Sequence, residues 1–365
     1  MHAHIIYNYL KPNGVGISIG GVQTYITNLI PLLKKSGYSI TIYQVSDLDF
    51  HQEFADYDIY GLKTDERKQT AAVLSAFAFQ HINPTTDLLI YGTDFLIHKK
   101  SPCRSIAIQH GISWDIPFDN CSKLRYLKHY LGKCKDAWKT IQRVNKVDQL
   151  VCVDYNFVNW HRATSPYSKT RHIVIPNFSA IPAFQPQKNN KDIKIIFARR
   201  LFAYRGTRLF ADVAERILTE YKNVCVTIAG TGPDEDYMHQ KLDKFCNVEF
   251  TTYESKDSLR IHEYKNIAVV PTLGSEGTSL SLLEAMASGC AVVCTNVGGM
   301  TNIVLDGYNG LLVNPEKEDL YQALRNLIED IATRTVLQAN AYMTVSKAFS
   351  LEKWQRRWLT LLQRQ

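Results

Sequence analysis

Long apolar runs are missing from this chain. Those it has are short, as in Ile195-Ile196-Phe197 and Ala291-Val292-Val293, far below the roughly 20 residues that span a bilayer. The opening residues, Met1-His2-Ala3-His4-Ile5-Ile6-Tyr7, carry no basic stretch and no small-residue cleavage site. They read as a first strand, not as a secretory leader. None of the eight cysteines pairs as C-x-x-C, so neither a zinc ribbon nor a redox pair is indicated. Most sit among apolar neighbours, as in Val151-Cys152-Val153 and Val224-Cys225-Val226. They read as buried free thiols of a reducing, cytoplasmic compartment. A dinucleotide fingerprint is also missing. Gly14 and Gly16 have the opening spacing, but Ile19 stands where the third glycine belongs, and no acidic residue follows in the right place to hold a ribose. That disfavours a nicotinamide dehydrogenase.

What is present is ordinary globular composition, 45% hydrophobic and 21% charged over 365 residues, enough for two domains at roughly 150 residues each. Lys and Arg number 42 against 35 Asp and Glu, a net charge of +7. This mild excess permits an anionic ligand or membrane surface and does not single out nucleic acid, which is not expected as a partner.

Strand and helix patterns alternate. Residues 2–7 read as a strand, 14–21 as a glycine-rich turn, 22–35 as a helix ended by Gly37, and 39–45 as the next strand. Strands follow at 87–91, 105–109 and 149–153. Residues 123–146 form a candidate helix whose apolar positions 124, 127, 131, 134, 138 and 141 recur every three or four residues, with Gly132 as a possible kink. The proline- and polar-rich stretch 176–192 marks the best domain boundary. A second series has strands at 193–198, 224–229, 247–251, 267–270 and 291–294, with helices near 207–221, 234–244, 279–288 and 317–330. A final helix covers 350–363. Its stripe of Leu351, Trp354, Trp358, Leu361 and Leu362 is expected to pack across both domains. Such alternation implies parallel sheets covered on both faces, with ligand sites at the carboxyl ends of the strands.

Four stretches carry candidate chemistry. In 276–289, a loop bearing Glu276 and Gly277 enters a helix at Thr278 or Ser279, followed by Leu280, with Glu284 inside it. A helix start offers free N–H groups to an anion, and carboxylates accept strongly from sugar hydroxyls. The alternative is a capped surface helix with solvated glutamates. In 195–207, a strand runs into a loop with Arg200, Arg205 and Gly206. Two guanidiniums there suit a diphosphate, unless they are surface ion pairs. Gly20 and Gly21, at the first strand-to-helix turn, let backbone approach a phosphate, or form a plain tight turn. His110, after a strand, would hydrogen-bond a sugar hydroxyl as neutral imidazole. The competing reading is a structural histidine.

Together these residues resemble the retaining nucleotide-sugar glycosyltransferases of group 1, family 4. Glu276 and Glu284 match the E-x7-E pattern, followed by Ala285-Met286-Ala287-x-Gly289. Arg200-Leu201 with Arg205-Gly206 matches the phosphate loop, and 229–233 the G-x-G-P turn. The stretches 297–299 and 306–313, Ile175-Pro176-Asn177, Gly20-Gly21 and His110 match further elements. Two departures stand out: the family's usual lysine is Arg205, and its glycine before the arginine is Arg199.

The resemblance implies an α/β GT-B fold, two Rossmann-like parallel-sheet domains facing across a cleft. Residues 1–178 with the C-terminal helix 350–365 would bind the acceptor, and residues 190–345 the donor. The implied reaction moves sugar from a nucleoside-diphosphate donor to a saccharide or polyprenyl-diphosphate-linked acceptor, in bacterial surface polysaccharide assembly. Arg200 and Arg205, with the Gly277–Leu280 backbone, would stabilise the departing diphosphate. Glu276 would hold the donor sugar and Glu284 the ribose, while His110 and Gly20-Gly21 would complete the site. Base contacts are expected near 230–254. The reading calls for no cofactor and no metal. Asp47-x-Asp49 and Asp234-x-Asp236 fit a short metal-diphosphate pattern that recurs by chance. The basic, aromatic stretch 123–146 would dock on anionic lipid at the cytoplasmic face of the inner membrane, or else is a solvated helix face. Competing classes are an epimerase-like enzyme of the same fold and a catalytically silent nucleotide-sugar binding subunit.

Overall fold

The computed structural model describes residues 1–18, 20–64, 69–117, 122–183 and 191–363. Ile19, Cys121 and the linker residues 187–190 lie outside the described residues. The described residues among 1–110, 120–176 and 355–365 cluster into one compact unit, and those among 111–119 and 177–354 into a second.

The first unit is built on β1 (His2–Ile6), β2 (Ser39–Ser46), β3 (Phe50–Glu53), β4 (Asp58–Lys63), β5 (Leu88–Tyr91), β6 (Arg104–Gln109), β7 (Gln149–Cys152) and β8 (Arg171–Val174), in the order β3-β4-β2-β1-β5-β6-β7-β8. All neighbours are parallel except β3, which pairs antiparallel with β4. Helices α1 (Gly21–Lys35), α2 (Thr70–Phe79), α3 (Lys123–Val144) and α4 (Tyr155–Thr164) connect them. The edge strands β3 and β8, the neighbouring strand β4 and helices α2 and α4 escape the sequence reading. Helix α2 (TAAVLSAFAF) is apolar on all sides and shows no helical period. Helix α3 runs through Gly132 without interruption.

The second unit has β9 (Ile193–Ala198), β10 (Val224–Ala229), β11 (Val248–Thr251), β12 (Ile267–Val270), β13 (Ala291–Thr295) and β14 (Leu311–Val313), in the order β11-β10-β9-β12-β13-β14 and parallel throughout. Strand β9 shows why. Ile195 and Phe197 point to a core formed with Phe210, Val213 and Ile217 of α5 (Thr207–Glu220), Met238 of α6 (Glu235–Leu242) and Leu320 and Leu324 of α8 (Lys317–Glu329). Ile196 and Ala198 point the other way, to a core with Leu282, Leu283 and Met286 of α7 (Leu280–Ala287) and Ala341 of α9 (Ile331–Ala348). Alternate residues buried on both faces produce the continuous apolar run seen in the sequence. Burying one such side chain contributes about 1.5–3 kcal/mol.

In α10 (Leu351–Gln363), Trp354 packs on Phe178 in the second unit, with ring centroids 4.5 Å apart. Trp358, in the first, is buried and its Nε1 donates to Tyr25 Oη at 2.8 Å. The cysteines are free where described but not uniformly buried: Cys134 and Cys246 are exposed, and Cys225 is half-buried. Cys134 is exposed because most of α3 is.

Candidate active site

The strand order sets the site. Strand β9 has β10, the next strand in sequence, on one side and β12 on the other. The chain therefore leaves β9 and β12 in opposite directions, opening a crevice at the carboxyl ends of these strands. The loop after β9 carries Arg199, Arg200 and Arg205. The loop after β12 carries Thr272 and Glu276.

These loops meet at Glu276. Arg199 Nη2 and Arg205 Nη1 both donate to Glu276 Oε2. Thr272 Oγ1 donates to the same oxygen at 3.2 Å and accepts from Arg199 Nη1. Arg205 Nη1 also reaches Ser275 O at 3.4 Å. Burial pushes the Glu276 carboxyl up, but the two guanidiniums outweigh it and hold the group below the ordinary glutamate value. Burial likewise lowers Arg199; Glu276 opposes this, and repulsion from Arg205 adds to it.

Close backbone contacts hold the cluster. Gly206 adopts φ +79, and a Cβ there would collide with Pro271 O, so the β9 and β12 loops touch at a position only glycine fits. Gly298 (φ +56) lies against Glu276 O in the same way, and Gly299 N donates to that oxygen at 3.0 Å. From the loop after β6, Asp115 Oδ1 accepts from Ser275 N at 2.7 Å.

Helix α7 starts where the sequence placed it. Ser279 is its N-cap, but its hydroxyl makes no capping bond and meets Ser281 Oγ at 3.2 Å instead. The amides of a helix's first turn have no intrahelical acceptor. Thr278 is fixed by Asn177, whose N donates to Thr278 Oγ1 at 2.8 Å and whose Nδ2 donates to Thr278 O at 2.6 Å. The proline-asparagine signature is thus a clamp on the segment entering α7. Gly277, Thr278 and Ser279 are buried, and Leu280 is half-buried.

Glu284 lies one turn into α7, with no cation beside it among the described residues. Burial raises its carboxyl to about 7, moderated by a hydrogen bond from Ser258. Arg200 is exposed, its guanidinium 5.6 Å from the Phe202 ring, with no ion-pair partner among the described residues. In the first unit, Gly20 and Gly21 begin α1 after β1. His110 ends the β6 connection: its Nε2 lies 3.0 Å from Gly92 O, and its ring stands edge-on to Tyr25 at 5.3 Å. Burial lowers it to about 4, against the Gly92 bond, so the imidazole is neutral and Nε2 is its donor. The two short aspartate patterns are engaged locally: Asp49 accepts from Lys63 N at 2.7 Å, and Asp234 from Arg208.

Sequence reasoning missed Arg199 and Thr272. Arg199 counted only as a departure from the family's glycine. The signal was there: in a β-strand alternation, the residue after Ala198 turns to the opposite side from Arg200.

Residues 192–330 match the family described as glycosyl transferases group 1. The chain is 24% identical to a glycosyltransferase of Methanocaldococcus jannaschii over 96% of both chains. A second from that organism is 25% identical over 46% of this chain and 44% of its own length. The lipopolysaccharide 1,2-N-acetylglucosaminetransferase of Salmonella typhimurium is 25% identical over 47% and 46%. This chain thus spans under half the length of the last two. Among solved structures, sucrose-phosphate synthase from Thermosynechococcus elongatus superposes with a TM-score of 0.75 at 15% identity, covering 98% of this chain and 97% of that one. The Anabaena HepE protein, solved with UDP and glucose, gives 0.70 at 15% identity over 100% of both.

Proposed function

We propose that this chain, whose fold is GT-B, is a group 1 glycosyltransferase that transfers a sugar from a nucleoside-diphosphate donor with retention of anomeric configuration. The observation that carries this reading is the convergence of Glu276, Arg205 and the α7 start at the switch point of the second sheet, with the exposed Arg200 on the same loop. The UDP and glucose in the HepE structure support a nucleotide-sugar donor.

In this reading Arg200, Arg205 and the α7 amides stabilise the charge that develops on the leaving diphosphate, the kind of preorganised electrostatic contribution that is usually largest. These guanidiniums do the cationic work, with no metal. Among the described residues, the three hydrogen bonds given to the Glu276 carboxylate fall on Oε2, and Oε1 serves the donor sugar hydroxyls. Glu284, once ionised, accepts from the ribose. His110 keeps Nδ1 as an acceptor for a sugar hydroxyl. The anomeric carbon loses its bond to the diphosphate as the acceptor oxygen binds on the vacated face. The acceptor proton goes to the displaced phosphate oxygen.

The acceptor class is a saccharide or a polyprenyl-diphosphate-linked saccharide of bacterial surface polysaccharide assembly, a setting supported by the Salmonella relative. Helix α3 supports a lipid-linked acceptor. Leu124 is 83% exposed, and Leu131 and Trp138 are each 58% exposed. Its buried residues, among those described, are Thr140 and Val144 in the last turns. Seven basic residues against one acid give α3 a net +6 of the chain's +7. Lys128 and Lys135 each stand four residues beyond a stripe leucine, at the border of the apolar face. Protein interface cores are depleted in lysine. An anionic bilayer attracts it at about 1 kcal/mol per residue and takes Tyr and Trp at its surface. We therefore assign this face to an anionic lipid surface.

A thermal-shift series with UDP, GDP, ADP, CDP and dTDP tests the donor site, since a ligand of the folded state raises its stability. One nucleotide is expected to stand out without Mg²⁺, and no shift with any would remove the assignment. NMR of the product made with that donor tests retention, and an inverted anomer would refute it. Donor turnover without an acceptor would favour the epimerase-like reading. For α3, co-sedimentation with vesicles containing 30% phosphatidylglycerol should exceed that with phosphatidylcholine alone and weaken in 0.5 M salt. Equal binding to both vesicles, or a self-associated protein in which α3 substitutions abolish the oligomer, would rule out the lipid assignment.

A further inference from the structure

One carboxylate at this site faces two guanidiniums, and it can neutralise only one of them. Arg199 is 8% exposed and gives Nη1 to Thr272 and Nη2 to Glu276. It is built into the protein interior with no other acid against it among its hydrogen-bond partners. Arg205 is more accessible. It reaches Glu276 and Ser275 O through Nη1 alone, so its Nε and Nη2 are not drawn into these bonds, and its guanidinium lies 4.9 Å from the Tyr204 ring at the loop surface. The two guanidiniums repel each other across the shared oxygen. An arriving dianion relieves that repulsion by giving Arg205 a partner of its own.

We propose that Arg199 is the resident counter-ion of Glu276, a positioning residue that leaves the charge of Arg205 free for the donor diphosphate. The resemblance puts glycine at this position. In a chain with glycine there, the residue at 205 would be the only cation of this pair at the carboxylate. Here the buried Arg199 neutralises Glu276 and fixes its rotamer from the interior. Arg205 can then turn from Glu276 to phosphate without stranding a buried carboxylate, whose isolation would be strongly unfavourable. The inference rests on the donor-site reading above.

The test uses pyrophosphate as the probe of the diphosphate site, with its dissociation constant measured by calorimetry on the full chain. Arg205→Met is introduced into three backgrounds. In the wild type it should weaken pyrophosphate about tenfold or more, as expected for loss of a charged hydrogen bond. In Arg199→Met the same change should cost less than about threefold, because Arg205 is already neutralised by Glu276. In Arg199→Met/Glu276→Gln the cost should return to about tenfold. A general contribution of Arg199 to positive potential would leave the Arg205 cost equal in all three backgrounds, and that result overturns the inference. Circular dichroism checks folding. If Arg199→Met does not fold, Arg199→Lys keeps the charge and should keep the full Arg205 cost, whereas a reduced cost there counts against the proposal. Failure of the wild type to bind either pyrophosphate or any nucleoside diphosphate would defeat the donor-site reading and this inference together. Binding with equal Arg205 costs defeats the inference alone.

Discussion

Glu276 and Glu284 stand eight residues apart on one loop and helix, and both carboxyls are largely withdrawn from water, yet they respond to burial in opposite ways. At Glu276 two guanidiniums and a threonine hydroxyl converge on one oxygen, and the group stays ionised below the ordinary glutamate range. At Glu284 a single hydroxyl, from Ser258, is the moderating contact, and the carboxyl rises to about 7. The same desolvation penalty acts on both. The difference is the cations that the β9 loop brings to one and not to the other. A sequence motif that pairs two glutamates thus hides a permanent anion and a group that titrates near neutrality.

Removing the permanent anion should have the largest effect. Glu276→Gln keeps the shape and loses the charge. Transfer should fall by about 10²–10³ in kcat, measured at saturating donor with folding confirmed by circular dichroism. Near-wild-type turnover would place the reaction elsewhere. Arg200→Ala should come next, lowering kcat/KM for the donor about tenfold to hundredfold. It should leave stability within about 0.5 kcal/mol, because the side chain is exposed.

The titrating group predicts a pH signature. The folded value of Glu284 is raised above its ordinary value, so the folded state holds that proton more tightly than the unfolded state. Its contribution to stability is complete below about 4.5 and is lost as pH rises through about 7. Glu284→Gln should therefore be more stable than wild type at pH 8, by about 1–3 kcal/mol, with the gap closing toward pH 4.5 in urea titrations. If the carboxylate binds ribose, kcat/KM for the donor should rise through an apparent value near 7 in wild type and show no such limb in the variant. The smallest effect is expected from Ser258→Ala. It removes the bond that favours the ionised form and should move that midpoint upward by about half a unit. A downward shift would mean that Ser258 does not act on Glu284.

Much of this was legible locally. The strand β9 and the helices α5, α7 and α8 follow from period and punctuation, because an interior parallel strand is a short apolar run and its helices carry one apolar face. Helices α2, α4 and α9 were not, and neither were the short strands β3, β4, β8 and β14, whose partial burial leaves no continuous apolar run. The charge and aromatic pattern of α3 was legible, but its exposure was not, since an amphipathic stripe looks the same whether or not another element covers it. Within the site, Glu276, Glu284, Arg200 and Arg205 were named from spacing, whereas the position of Arg199 looked like a mere departure from pattern.

The sequence by itself determined which residues could supply charge: two carboxylates flanking a helix start, arginines after a strand, and a basic helix holding nearly all the net charge. Only the tertiary structure decided which of them meet. Strand order places the β9 and β12 loops at one switch point, although Arg199 and Glu276 lie 77 residues apart in the chain. Burial there is what makes an ion pair decisive, because withdrawal from water magnifies the difference between a carboxylate that has a cation and one that does not.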